Sequence, residues 1–197
     1  MHARSPFRLV AFTLAGVALA AAITSLTAVA QTSGVKQNYS ATAINMGSGP
    51  SGMGTVLINI ERWSTAKERE GLLKVLMEKG PEKLLDVLQD NQKTGYIRLP
   101  NTIAWDLRYA FESPLPDGGR RVVLVTDRPI SFQEARNQTR SMDYPFTLIE
   151  IHFNKDGIGV CKMSVRTKIS MSKDKSTIEL ENFGIEPVRL TEVRPEK

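Results

Sequence analysis

Four consecutive apolar residues at positions 122–125 constrain the fold of this chain more than any other feature. A strand that is solvated on one face alternates apolar and polar residues, so an unbroken apolar run predicts a strand buried on both faces. Arg120 and Arg121 precede the run, and a polar stretch rich in arginines and carboxylates follows it. The densest cluster of charged groups is therefore attached to the strand that we expect to be most buried.

From Gly95 onward, the sequence has the period of two that is typical of half-buried strands. The clearest case is residues 103–111, where the larger apolar and aromatic residues, including Leu107 and Tyr109, occupy the odd positions. Turn signals at residues 116–119 and 156–157 separate successive strands. This order indicates antiparallel hairpins.

Two amphipathic helices are predicted between residues 65 and 91. Thr65 and Glu68 have the spacing of a capping box at the start of the first helix. Gly80 suits the end of that helix, and Pro81 suits the start of the next. One face of each helix carries the apolar residues, which are Leu72, Leu73, Leu76 and Met77 in the first and Leu84, Leu85 and Leu88 in the second. This αα-hairpin must cover part of a sheet, although a partner-binding groove is an alternative.

The order of these elements predicts an α+β fold. We expect a mostly antiparallel, strongly curved sheet or partial barrel, with the αα-hairpin inserted after the first strand at residues 55–63. Residues 31–52 are rich in glycine and serine and are expected to form a flexible segment, with a short edge strand at residues 41–44 as an alternative for that part. Residues 53–197 are expected to form a single domain.

The first thirty residues have the pattern of a secretory signal peptide. Arg4 and Arg8 precede an apolar run, and residues 28–30 (AVA) match a cleavage signal. Export to the periplasm or the extracellular space is therefore predicted. The alternative is an uncleaved anchor, because residues 9–30 carry no charge and are long enough to span a bilayer. A membrane contact is expected only in that case.

The net charge argues against a nucleic-acid partner, and the cysteine content excludes an internal disulfide. The net charge is +5, and part of it belongs to the predicted signal peptide. A charge of this size does not make the chain a polycation that would bind nucleic acid, and the predicted export also argues against such a partner. We expect no nucleic-acid partner. Cys161 is the only cysteine and cannot form an internal disulfide. It shares the apolar positions of its strand and is interpreted as a buried thiol, with a nucleophile or an intermolecular disulfide as the alternatives.

The polar stretch after the buried strand is the best candidate for a ligand site. Guanidinium groups bind carboxylates and phosphates through paired hydrogen bonds. The residues that form this predicted anion site are Arg128, Arg136, Arg140, Asp127 and Asp143. The same groups can instead pair with one another and hold a long loop in place.

His152 and Glu150 are weaker candidates, in this case for catalysis. They share one face of a predicted strand, an arrangement that can orient an imidazole ring. A triad would also need a serine such as Ser131 or Ser141 close to His152. The chain has too few histidines and cysteines for a zinc site, so we expect no metal and no cofactor.

Three phrases of the sequence carry a resemblance to known proteins. They are residues 61–65 (ERWST), 126–132 (TDRPISF) and 140–147 (RSMDYPFT). In these phrases the chain resembles a group of exported bacterial proteins of unknown function. The resemblance implies an exported domain that spans most of the mature chain, and it implies no activity, substrate or catalytic residue.

The sequence thus favours a non-catalytic exported domain that acts in binding or in the cell envelope, with an anionic ligand at residues 127–143. Two alternatives stay open. One is a secreted hydrolase that uses acidic residues or His152. The other is a carrier that holds a small apolar ligand inside a barrel.

Overall fold

The computed structural model describes residues 36–43, 54–99, 102–130, 144–182 and 188–196. In these ranges the chain forms nine strands and two helices. In chain order they are β1 (Gln37–Ala43), β2 (Gly54–Ile60), α1 (Ala66–Lys79), α2 (Pro81–Asp90), β3 (Gly95–Arg98), β4 (Trp105–Pro114), β5 (Arg120–Thr126), β6 (Phe146–Phe153), β7 (Gly159–Met171), β8 (Ile178–Asn182) and β9 (Val188–Pro195).

Eight of these strands close into an antiparallel barrel. Their order is β6-β5-β4-β3-β2-β1-β9-β7, and pairing between β6 and β7 completes the ring. Strand β7 has 13 residues and changes partner along its length. Its first part pairs with β9, and its last part pairs with β8. Strand β8 therefore extends the sheet beyond the barrel wall.

The α+β class and the antiparallel pairing are confirmed, and two details of the predicted fold are wrong. The barrel is closed rather than partial, because the long strand β7 contacts both β6 and β9. The helical hairpin follows the second strand, not the first, because residues 37–43 form β1. These residues lie in the segment that the sequence predicted to be flexible, and they pair with β2 on one side and with β9 on the other.

Apolar side chains from all eight barrel strands fill the barrel interior. One end is closed by Arg120, whose guanidinium lies 4.4 Å from the ring centroid of Phe153. Arg120 also donates hydrogen bonds to the hydroxyl of Tyr39 (3.0 Å) and to the carboxylate of Glu112 (3.1 Å). Tyr39 belongs to β1, which is not a neighbour of β5 in the ring. The arginine therefore connects opposite walls of the barrel.

The helical hairpin packs on the outside of the barrel, as its apolar faces predict. The capping box is formed, with the hydroxyl of Thr65 accepting from the backbone N–H of Glu68 (3.2 Å) and the Glu68 carboxylate accepting from the N–H of Thr65 (2.7 Å). The buried leucines of both helices pack against Val125, Phe146 and Ile169 of the sheet. Strands β5, β6 and β7 thus lie beneath the hairpin.

Strand β5 is covered on both faces, as its apolar run predicts. Val122 and Leu124 are fully buried in the barrel interior. Val125 is buried beneath the hairpin, and Val123 is half-buried on the same outer face. One apolar core therefore lies on each side of this strand.

Gly95, the first residue of β3, pairs with Ile60 of β2 at a point where the two strands approach closely. A Cβ atom on Gly95 would lie 2.0 Å from the carbonyl oxygen of Asn59. We expect Gly95→Ala to lower the free energy of unfolding by about 2–4 kcal/mol, because the two strands would have to separate. Urea unfolding curves of the mature protein measure the change.

Gly71 is the matched control, because a Cβ atom there would meet no heavy atom within 4 Å. It lies inside α1, so Gly71→Ala should raise the free energy of unfolding by about 0.5–1 kcal/mol. Equal effects of the two substitutions would contradict the close approach of β2 and β3.

Candidate functional site

An open groove is bordered by the helical hairpin and by the outer face of the sheet. We call it the hairpin groove, and its volume is about 530 Å³. Helices α1 and α2 form one wall, and strands β4 to β8 form the other. The apolar lining consists of Leu72, Leu73, Leu76, Leu84 and Leu88 from the helices and of Val123, Val125, Leu148, Ile169, Ile178 and Leu180 from the strands.

The rim of the hairpin groove leaves large apolar side chains in contact with solvent. Leu73 is 41% exposed, although its helical position predicted a buried side chain. Across the groove, Ile178 and Leu180 of β8 are 51% and 49% exposed. Adjacent exposed apolar residues on a soluble surface mark a binding site more often than isolated ones do. The groove is therefore the best candidate site among the described residues.

Polar side chains also line the hairpin groove. Arg69 of α1 lies over the ring of Phe111, with 4.3 Å between its guanidinium carbon and the ring centroid. The Nε atom of Arg69 is buried and has no hydrogen-bond partner among the described residues. Arg121 of β5 and Tyr109 of β4 line the same groove. The groove is therefore lined by two guanidinium groups and one phenol in addition to its aliphatic side chains.

The pKa of Tyr109 responds to the charges of both Arg69 and Arg121. Burial raises the pKa of its phenol above the ordinary value, and the charges of Arg69 and Arg121 act in the opposite direction. The phenol thus remains protonated at neutral pH and can donate a hydrogen bond. Both guanidinium groups are close enough to act on it.

Two carboxylates also line the hairpin groove, those of Glu70 and Glu150. The Oε1 atom of Glu150 lies 2.7 Å from Nε2 of His152 and 3.9 Å from a terminal nitrogen of Arg121. Glu150 is therefore bound mainly by the histidine. Arg121 keeps only a long contact to this carboxylate.

The structure confirms the contact between the two predicted catalytic residues but describes no serine that could complete a triad with them. His152 and Glu150 are in contact, but His152 is exposed on the outer face of β6. Ser131 and Ser141, which a triad would need, lie outside the described residues. Among the described residues, no cluster of three or more histidine, cysteine or carboxylate side chains could hold a metal ion.

The predicted anion site at residues 127–143 is only partly described. Asp127 accepts a hydrogen bond from Nε of Arg108 at 3.0 Å, an arginine that the sequence did not place in this site. Arg128 donates to the backbone carbonyl of Ala104 at 3.1 Å. The remaining members, Arg136, Arg140 and Asp143, lie outside the described residues. Ligand binding by this stretch stays a prediction.

The sequence missed Tyr109 because the strand register changes next to it. The pairing of β4 with β5 is irregular between Leu107 and Tyr109. Leu107 and Ala110 consequently face the barrel interior, while Tyr109 lines the outer groove. A shift of one residue moves all later side chains of a strand to the opposite face.

Comparisons of the chain with models of protein families, with curated proteins and with solved structures find no match. Within the described ranges, neither helix is long and apolar enough to cross a membrane. The resemblance to exported proteins of unknown function stays a prediction, and the site has to be interpreted from its own geometry.

The interpretation of Cys161 as a buried thiol is confirmed, since it is 0% exposed in the barrel interior. Burial raises the pKa of this thiol far above its ordinary value. We therefore expect the native protein to resist alkylation by iodoacetamide at about pH 8, because the thiolate is the reactive form. Mass spectrometry of the intact chain measures the modification.

The same reaction in concentrated urea is the control and should modify the cysteine completely. Equally fast alkylation of the native and the unfolded protein would show that Cys161 is accessible.

Proposed function

We propose that this protein is a non-catalytic binding domain that holds the acyl chain of a lipid-like ligand in the hairpin groove. The observation that carries the proposal is the pair of facing aliphatic walls, with Leu73 on one side and Ile178 and Leu180 on the other. Ligand sites of about 300–1,000 Å³ with mostly apolar linings are typical of small-molecule binding. The hairpin groove falls within this range.

The shape of the groove favours a flexible aliphatic chain as the ligand. Most of its lining consists of leucine, isoleucine and valine side chains, and a few polar groups from α1, β4, β5 and β6 complete it. A ligand with an apolar tail and a polar head matches this lining. The open rim along β8 gives such a ligand a way to enter from solvent.

The outer groove is a better place for an apolar ligand than the barrel interior. Closed barrels of about eight strands leave an interior that side chains can fill. In this barrel, large residues such as Tyr39, Phe153 and Met163 occupy the interior and are almost fully buried. Arg120 closes one end. We therefore place the apolar ligand of the carrier hypothesis outside the barrel.

A neutral fluorescent probe tests the apolar part of this proposal. Phenylnaphthylamine should bind the mature protein with increased fluorescence, and Leu73→Gln or Leu180→Gln should weaken binding about tenfold. The reason is the loss of roughly 1.4 kcal/mol of apolar contact. Fluorescence titration gives the affinities.

Val160→Gln is the matched control, because Val160 is 59% exposed on a strand and does not line the hairpin groove. It should leave probe binding unchanged. Equal losses in the control and the groove variants, or no binding by the native protein, would contradict the proposal.

We also propose that the protein is exported and that residues 1–30 are removed. Support comes from Arg4, Arg8, the apolar run and the cleavage signal at residues 28–30. Expression of the full chain in a bacterium should yield a periplasmic or secreted protein that begins at Gln31. Cell fractionation and N-terminal mass spectrometry measure the outcome.

A variant that lacks residues 2–30 is the control and should stay in the cytoplasm. Recovery of the intact full-length chain in the membrane fraction would contradict cleavage and would support the uncleaved anchor.

A further inference from the structure

We propose that the hairpin groove selects ligands with one anionic head group, a carboxylate or a phosphate monoester, bound by Arg69, Arg121 and Tyr109. This inference rests on the proposed function and adds the charge of the ligand. Guanidinium groups and a phenol are hydrogen-bond donors, and carboxylate and phosphate oxygens are the acceptors that they bind most strongly.

The three donors come from three different elements, and all of them line the hairpin groove. Arg69 lies on α1, Tyr109 on β4 and Arg121 on β5. The outer face of β4 also carries Phe111, and Arg69 lies over that ring. A guanidinium that is held over an aromatic ring still has N–H groups at its edge for an acceptor. The hairpin and the sheet thus each contribute to one head-group site.

Both arginines have hydrogen-bonding capacity left for a ligand. Among the described residues, no carboxylate lies within ion-pair distance of Arg69, and its Nε atom has no partner. The side chain of Arg121 is 45% exposed, and its contact with Glu150 is 3.9 Å long. Buried guanidinium nitrogens are usually paired, so the unpaired Nε side of Arg69 is well suited to take an external anion, and the exposed Arg121 is open to the same ligand.

The carboxylates of Glu70 and Glu150 cancel the formal charges of the two arginines that line the groove. The charge of the preferred ligand therefore depends on where each of these groups lies. Glu150 is held by His152 at 2.7 Å, and Glu70 is exposed on α1. Around the phenol of Tyr109, by contrast, only the two arginines lower its pKa and no carboxylate raises it. An anion bound beside Tyr109 would therefore be attracted by both arginines, which line the same groove.

The same carboxylates limit the head group to a single anion. A ligand that binds between Arg69 and Arg121 satisfies both guanidinium groups. A second negative group on the ligand would be repelled by Glu70 and Glu150, which line the same groove. The preferred ligand is accordingly an acyl chain with one acidic end.

Ligands that have the same chain length and different head groups distinguish the contribution of the head group to the affinity from that of the tail. The mature protein is titrated with dodecanoate, dodecyl phosphate and dodecanol by displacement of phenylnaphthylamine, with the two anions below their micelle concentrations and the alcohol below its solubility limit. We expect the two anions to bind about tenfold more tightly than the alcohol, since charge-assisted hydrogen bonds are stronger than neutral ones. The two anionic arms also distinguish a fatty acid from a phosphate-bearing lipid as the source of the head group.

Arg69→Gln and Arg121→Gln should each remove most of the preference for the anions while leaving the affinity for dodecanol unchanged. Tyr109→Phe should reduce the preference by about threefold, because one neutral hydrogen bond is lost. Arg98→Gln is the matched control, since Arg98 is exposed on β3 and does not line the groove. Urea unfolding of every variant verifies that it is folded.

Equal affinity of the native protein for dodecanol and for both anions would overturn the head-group inference and leave the proposed function standing. An anion preference that survives both arginine substitutions would also overturn it. Failure of all three ligands to displace the probe would instead contradict the proposed function.

Discussion

The structure depends on the burial of both faces of β5. Closing eight strands into a barrel covers one face, where Val122 and Leu124 lie in the interior. The other face needs a separate cover, which α1 and α2 supply over Val125. The hairpin does not cover Ile178 and Leu180, because β8 extends the sheet beyond the barrel wall. The hairpin groove is thus a direct consequence of the way in which the second face of β5 is buried.

Features that depend on neighbouring residues could be predicted from the sequence. The capping box of Thr65 and Glu68 and the Gly80-Pro81 junction are local signals, and both helices begin and end as these signals indicate. Strand β1 was predicted only in part, as a short edge strand at residues 41–44. Its inward residues are Tyr39, Ala41 and Ala43, and alanine has little preference for strands. The strand pairs over its whole length with β2, but its second partner β9 lies far away in the sequence, so its place inside the sheet could not be predicted from local pattern.

The candidate site was less predictable than the fold. Period-two alternation put Tyr109 on the same face as Leu107, but the irregular pairing between them places the two side chains on opposite sides of the sheet. Arg69 and Arg121 are far apart in the sequence, and each resembles an ordinary surface charge. They line one groove only when the helical hairpin packs on the outer face of the sheet. Tertiary packing, not local pattern, brings the polar lining of the groove together.

The position of the groove outside the barrel separates the residues that stabilise the fold from those that would bind a ligand. The interior of the barrel, where Ile151 and Met163 are fully buried, makes no contribution to the groove lining. The rim residues Leu73 and Leu180 are each more than one-third exposed, so they contribute little to folding. Only the floor of the groove, at Val125 and its buried neighbours, belongs to both functions. Substitutions at the rim and at the polar lining residues can therefore change ligand preference while the two cores on either side of β5 remain intact.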